Sequence, residues 1–394
     1  METLQQEHQQ LTTTATYDRL AKKTKISVPD EIIEDILTRL PVVSILRFRS
    51  VSKQWLSHIS HPSFTKLHST RSTRTALFIS AYDHSTCQQH ILSAARHGGP
   101  LTHLFTIHDA DPNRIPEAQH LNGLVFFTTM TLYSHYLHAY VVNPSTRKLF
   151  KLPHPYPERN YMNICYYFGF DESTNEHKVL TIRKLCRPAR FEVMIFSLST
   201  HSWRKIDALP PVFCFTSDPL NFHYSLSVCV NSVIHVIMRG GDLSSHILAF
   251  DLRTEKFSVI NTPQGALPND DGLPCITKTN GCVGILNRDY DRNNEMHAWI
   301  LQDYENRVWV KEIIMYTDPW TEDCFPYPED FVNAGDIIFF SPSKLSENVM
   351  NVPVYNRKSR CFKSLQFTFG RQFRMPRELE FNMIRSYVES MVPL

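Results

Sequence analysis

One spacing constrains this chain more than any other. Five segments share a pattern: VVNPSTRKL (141–149), IFSLSTHSW (195–203), AFDLRTEKF (249–257), ILQDYENRV (300–308) and VYNRKSRCF (354–362). Each is an apolar run, then a polar turn, then an apolar or aromatic residue opening the next run. Their third residues are Asn143, Ser197, Asp251, Gln302 and Asn356, spaced 54, 54, 51 and 54 apart. Around them, short apolar runs alternate with Pro, Asn, Asp and Gly turns, which reads as strands, and long helical periodicity is absent. All-β sequence repeating every ~50 residues marks the blades of a propeller. Asn, Asp and Ser side chains bond their own backbone and favour turns, and Pro144 presets φ, so each copy reads as a hairpin. Leu149, Trp203, Phe257, Val308 and Phe362 are then expected to point inward between blades. A second hairpin recurs as NGLVFF (122–127), NSVIHV (231–236) and NGCVGI (280–285). The β region divided by its period gives roughly six blades, the first poorly marked. A β-sandwich or an irregular series of hairpins is the competing architecture, but neither accounts for the regular period. The fourth copy is the weakest, with Glu305 where the first three carry Thr.

Residues 28–68 are built differently. Ile32, Ile33, Ile36, Leu37 and Leu40 fall on one helical face, with Glu34, Asp35, Thr38 and Arg39 on the other. Ser27 with Asp30 fits a loose capping box, Pro29 suits a first turn, and Pro41 stops the helix. A second short helix is expected over about 42–49. A third carries Val51, Trp55 and Ile59 at helical spacing and is closed by Pro62. Three short helices bury little among themselves, and modules of this size usually need a metal, disulfides or a partner. There is no cysteine before Cys87, which leaves a partner.

In order and spacing, Pro29-Asp30-Glu31, Ile36-Leu37, Arg39-Leu40-Pro41, Leu46-Arg47-Phe48-Arg49, Val51-Ser52-Lys53-Gln54-Trp55 and Pro62-Ser63-Phe64 resemble an F-box. Val28 stands where Leu is commoner. YVVNPSTRKLFKLP (140–153), FGFDESTNEHKVL (168–180), FEVMIFSLSTHSWRKI (191–206) and HILAFDLRTEKFSVI (246–260) resemble the kelch-like F-box-associated domain of plant proteins. The resemblance implies docking on a Skp-type adaptor, which bridges to a cullin–RING ubiquitin ligase. The contact residues it implies are Pro29, Ile33, Ile36, Leu37, Leu40, Pro41, Leu46, Val51 and Trp55. Some of these must instead form the small helical core, and the sequence does not sort them. The expected fold is a multidomain α+β chain: a disordered tail over 1–26, a three-helix F-box over 27–68, and a β-propeller-like domain of about six blades over 74–393.

Composition narrows the alternatives. The 394 residues are 42% hydrophobic and 12% aromatic with a net charge of +2, so the chain is globular and lacks the basic stripe of a nucleic-acid binder. No apolar run spans a membrane, and the N-terminal segment has no signal-peptide core. Nine scattered cysteines without a C-x-x-C pair favour the reducing cytosol or nucleus.

The nineteen histidines form no H-E-x-x-H. His58 and His61 have a spacing that could suit a metal but no cysteine nearby. Asn269-Asp270-Asp271 reads as a solvated turn. Asp289, Asp291 and Asn293 open like a calcium loop, but Asn294 and Ile300 break it. Cys282 reads as a small hydrophobe, and Trp299, Trp309 and Trp320 as packing between blades. No metal, cofactor or catalytic residue is expected. The functional expectation is a ligase receptor whose propeller captures an unknown target protein. An adaptor-bound scaffold without ubiquitination is the alternative, and a propeller enzyme would need an inward ring of acids or histidines that the repeats lack. Tyr156–Asn163, Pro211–Asn221, Pro263–Pro274 and Tyr316–Glu329 are candidate target-reading loops by length and composition.

Overall fold

The structure is a computed structural model. It describes residues 28–394 except residue 73 and segments 112–116, 132–133, 157–163, 187–188, 212–226, 240–244, 268–274, 289–294, 316–326, 333–335, 341–342, 345–348 and 370–378. The tail over 1–26, the Asn269–Asp271 run, Asp289, Asp291, Asn293 and Trp320 lie outside the described residues.

Four helices come first: α1 (Asp30–Thr38), α2 (Val42–Phe48), α3 (Lys53–Ser60) and α4 (Pro62–Arg71). The three-helix expectation is therefore one helix short. α3 does stop ahead of Pro62, as expected, but Pro62 also opens α4, at a position where its missing N–H costs nothing. The His61 side chain accepts from Ser63 N at 3.3 Å and so caps that helix. Ser52 does the same for α3, accepting from Trp55 N at 3.1 Å.

The strands then form six four-stranded blades. β1 (Thr75–Asp83), β2 (Gln88–Ala95) and β3 (Gly99–Ile107) wait for an inner strand from the far end of the chain. Blade one is β4 (Glu117–Leu121), β5 (Leu124–Thr131), β6 (Ser134–Asn143) and β7 (Lys148–Lys151). Blade two is β8 (Ile164–Asp171), β9 (Glu176–Cys186), β10 (Ala189–Ser197) and β11 (Ser202–Ile206). Blade three is β12 (Ser227–Val230), β13 (Val233–Arg239), β14 (Ser245–Asp251) and β15 (Lys256–Asn261). Blade four is β16 (Cys275–Thr279), β17 (Cys282–Arg288), β18 (Glu295–Asp303) and β19 (Val308–Met315). Blade five is β20 (Tyr327–Val332), β21 (Asp336–Phe340), β23 (Val349–Asn356) and β24 (Cys361–Phe369), with the short β22 (Ser343–Lys344) between. β25 (Leu379–Val388) pairs antiparallel with β1 and supplies the missing inner strand of blade six. Inner strands touch in a closed ring: β4 with β8, β8 with β12, β12 with β16, β16 with β20, β20 with β25, and β25 with β4. The first strands of the β region are poorly marked as a blade in sequence because they belong to blade six, whose four strands come from both ends of the propeller region.

All five repeat segments are outer hairpins. The Asn143 side-chain oxygen accepts from Ser145 N and Thr146 N at 3.0 and 3.2 Å. Asp251 accepts from Arg253 N at 2.8 Å, and Asn356 from Ser359 N at 2.8 Å. Four residues after the turn-opening residue, φ is positive at Arg147, His201, Glu255, Arg307 and Arg360. The fourth copy needs a correction. Its turn-opening residue is Asp303 rather than Gln302, and Asp303 accepts from Asn306 N at 2.9 Å. A bulge between Leu301 and Asp303 inserts the extra residue. The second hairpin set turns at Asn122-Gly123, Asn231-Ser232 and Asn280-Gly281, with both residues of each pair at positive φ, as a type I′ turn requires.

Trp203, Phe257 and Phe362 pack half-buried against the cores beneath them. Leu149 and Val308 do not point inward; they are 41% and 47% exposed, and Phe150 and Trp309 pack instead. Trp299 and Trp309 both pack, partly buried, against the cluster of blades three and four. Cys282 is half-buried rather than fully buried. Among the described residues no disulfide forms, and no group of three His, Cys, Asp or Glu side chains could hold a metal.

Candidate docking face and its mount

The helical module has an inside and an unfinished outside. Leu37, Val42, Ile45, Ile59 and Phe64 form its buried core, and Ile33, Leu40, Leu46, Phe48 and Trp55 pack partly buried against it. Trp55 meets Phe48 edge to face at 5.0 Å. Val28, Ile32, Ile36, Val43, Val51 and Leu56 are 41–62% exposed. These six are half of the large, strongly exposed apolar side chains among the described residues, concentrated in 29 positions. Ile32 and Ile36 lie one turn apart on α1, so this is a surface rather than isolated residues.

The nine sequence-nominated residues therefore separate. Pro29, Ile36 and Val51 are exposed. Ile33, Leu40, Pro41, Leu46 and Trp55 are half-buried. Leu37 is 1% exposed and belongs to the module's own core. Val28, Ile32, Val43 and Leu56 are exposed apolar residues outside that set. For Ile32 the signal was already present in its helical spacing with Ile36.

Polar contacts hold the helices together. Arg71, the last residue of α4, donates to Asp35 on α1 at 2.7 Å and to Thr38 Oγ1 at 2.9 Å. Hydrogen bonding from Arg39 is the main cause that holds the Asp35 carboxyl below its ordinary range. Gln54 on α3 donates to Asp30 at 3.1 Å. His68 is buried, with Nε2 bonded to the Leu40 carbonyl at 3.4 Å, and burial pushes its pKa down. His58 Nε2 lies 3.7 Å from the Asp30 carboxylate, while His61 is the cap of α4.

The module sits at one end of the propeller. In an antiparallel blade, the first-to-second and third-to-fourth turns share an end, and the remaining connections leave from the other. β1 begins, and β25 finishes, at the tight-turn end, with Thr75 opposite Val388. The helices enter there. The segment after β25 returns to them: Met391 joins the helical core, and Val42 N donates to the Glu389 carboxylate at 3.2 Å. The four candidate reading loops fall largely outside the described residues, but the strands they join, β7 to β8, β11 to β12, β15 to β16 and β19 to β20, open at the opposite end.

Comparison with known proteins decides the family. Residues 66–388 match the F-box associated beta propeller domain, and residues 26–67 match the F-box domain. The chain belongs to the F-box-associated β-propeller family. Neither matched family is catalytic. A putative F-box protein of Arabidopsis thaliana is 26% identical over 370 residues, covering 89% of this chain and 90% of the relative. Another Arabidopsis thaliana F-box protein is 29% identical over 365 residues, covering 84% of this chain and 73% of the relative. Among solved structures, TolB from Acinetobacter baumannii aligns with a TM-score of 0.44 and 12% identity, over 86% of this chain and 73% of that chain. No described helix of this F-box protein is long and apolar enough to cross a membrane.

Proposed function

We propose that this F-box protein is the target-recognition subunit of an SCF-type ubiquitin ligase. Its F-box docks on a Skp-type adaptor, and its propeller holds a target protein for ubiquitin transfer in the cytosol or nucleus. The observation that carries this reading is the unpartnered apolar surface of Val28, Ile32, Ile36, Val43, Val51 and Leu56, on a helical module whose small core supplies little stability alone. A partner covering it, with Pro29, Ile33, Leu40, Pro41, Leu46 and Trp55 at its margins, would bury on the order of 2,000 Å². The subunit works without chemistry of its own, by raising the local concentration of target near the charged enzyme. That role suits a propeller whose blade-joining strand ends open away from the F-box, where a target meets no competition from the adaptor.

Binding of the full chain to a purified Skp-type adaptor tests this. Ile36→Asp combined with Val51→Asp changes only exposed side chains, so the fold should survive while affinity falls at least 100-fold. Val310→Asp, on the exposed outer strand of blade four, should bind as the parent does. Undiminished binding by the double variant would sink the assigned face. Reconstituted ubiquitin transfer to a captured protein separates a receptor from an inert scaffold.

A further inference from the structure

We infer that Glu389–Leu394 is an intramolecular latch that makes adaptor docking conditional on closure of the propeller ring. This rests on the reading of the F-box as the docking module. The segment follows β25 directly and touches both halves of the molecule. On the F-box side, Met391 is buried to 9% exposure among Leu37, Val42, Ile45, Ile59 and Phe64. A core of five fully buried side chains is completed by a sixth from more than 300 residues away. Glu389 N donates to the Arg74 carbonyl at 2.9 Å, and its carboxylate accepts from Val42 N at the start of α2, a helix without a side-chain cap.

On the propeller side the seat is built for this segment. Asn143 Nδ2 donates to the Ser390 and Val392 carbonyls at 3.0 and 2.8 Å, while its Oδ1 caps the blade-one turn. Asp251 and Asp303 occupy the same turn position in blades three and four, and the amide recurs at Asn356 of blade five, where Nδ2 donates to Asp336 of its own blade at 2.6 Å. Blade one uses an amide, which can donate as well as accept. Ser390 N donates to Ser145 Oγ at 3.2 Å, and Ser390 is 2% exposed. Gly123 opposite has φ +85, and a Cβ there would lie 2.0 Å from Ser390 Cβ. Val392 and Leu394 pack against the cluster that fills blades one to three.

The geometry couples two events. β25 is the strand that closes the ring, so a ring that opens at this seam carries Met391 out of the F-box. The docking-competent fraction then follows the closed fraction, and apparent affinity falls in proportion.

Two variants of the full chain test the latch. Met391→Asp places a carboxylate in the F-box core. Asn143→Asp keeps the turn cap but sets a carboxylate against two carbonyls. In both, amide hydrogen exchange in α1–α4 should accelerate at least tenfold, and adaptor affinity should fall at least tenfold, with exchange in β5, β9 and β14 unchanged. Met391→Leu should behave as the parent. If Met391→Asp does not fold, Met391→Ala carries the same comparison. Unchanged F-box exchange in the Asn143 and Met391 variants would overturn the latch. Faster exchange with unaltered affinity would overturn its control of docking. A parent chain that never binds the adaptor would instead overturn the docking function, and the exchange comparison would still decide the latch.

Discussion

At Gly98 the chain has no room for a side chain. Its φ is +93, and an added Cβ would stand 2.6 Å from the Gln366 carbonyl oxygen. That contact comes where two blades are joined: Phe367, Thr368 and Phe369 of β24 pair in parallel with Gly99, Pro100 and Leu101 of β3. Gly98→Ala combines left-handed strain with a backbone clash, and should destabilise the protein by roughly 2–4 kcal/mol, read from its urea midpoint. The composition of Gly98-Gly99 marks a turn but says nothing of a strand of the neighbouring blade that lies far along the chain. The docking residues show the same limit. Helical spacing places Ile33, Ile36, Leu37 and Leu40 on one apolar face. Whether an apolar side chain on that face meets its own module or another molecule depends on where α4 and Met391 pack, and neither is visible in the pattern of α1. Leu37 accordingly lies in the core at 1% exposure, while Ile36, beside it in sequence, is 52% exposed.

The hairpin is the element at which sequence was most informative, because its turn has fixed chemistry. In four of the five copies a side chain that accepts from the backbone comes first, while in blade two Glu176 takes that role and accepts from Ser199 N at 3.1 Å. In all five a left-handed residue follows four positions after the turn opens, at Arg147, His201, Glu255, Arg307 and Arg360. The same device recurs off the aligned repeat: Asp83 accepts from Ser85 N at 2.9 Å ahead of left-handed Cys87, and Asp171 from Ser173 N at 2.9 Å ahead of Asn175. The single misplacement, Gln302 for Asp303, comes from a bulge, which shifts the register by one residue without changing the local composition. Asp303→Ala should lower the urea midpoint of the protein while Gln302→Ala leaves it unmoved. Equal effects would contradict the bulged register. Outward Leu149 and Val308 were unreadable for a related reason. On the outermost strand of a blade, one side-chain direction can run past the neighbouring blade into solvent, and alternation alone does not say which.

Across the whole molecule, buried neutral histidines set a limit on acid tolerance. Burial pushes His177 and His235 down to about 4 and His120 to about 3. His177 Nε2 bonds the Leu121 carbonyl at 3.0 Å, and His120 Nε2 accepts from Gly123 N and Val388 N at 3.0 and 3.2 Å. Their folded values lie below the ordinary 6.5, so the unfolded chain takes up more protons as pH falls. Stability is complete above about pH 6.5 and declines toward pH 4, with each such histidine contributing about 2 kcal/mol to the loss between pH 7 and pH 5. Chemical denaturation at those two pH values checks this, and His235→Gln should flatten the dependence. The ring itself was legible from its period; its closure was not, because no local signal pairs residues 75–83 with residues 379–388. Met391 gives that closure a consequence in time. A ribosome releases the helices early, and at about 5–20 residues per second roughly 15–60 s pass before Met391 is made. Through that interval a nascent chain carries an F-box with an unfilled core, so a half-synthesised receptor is poorly equipped to occupy an adaptor that a finished one could use.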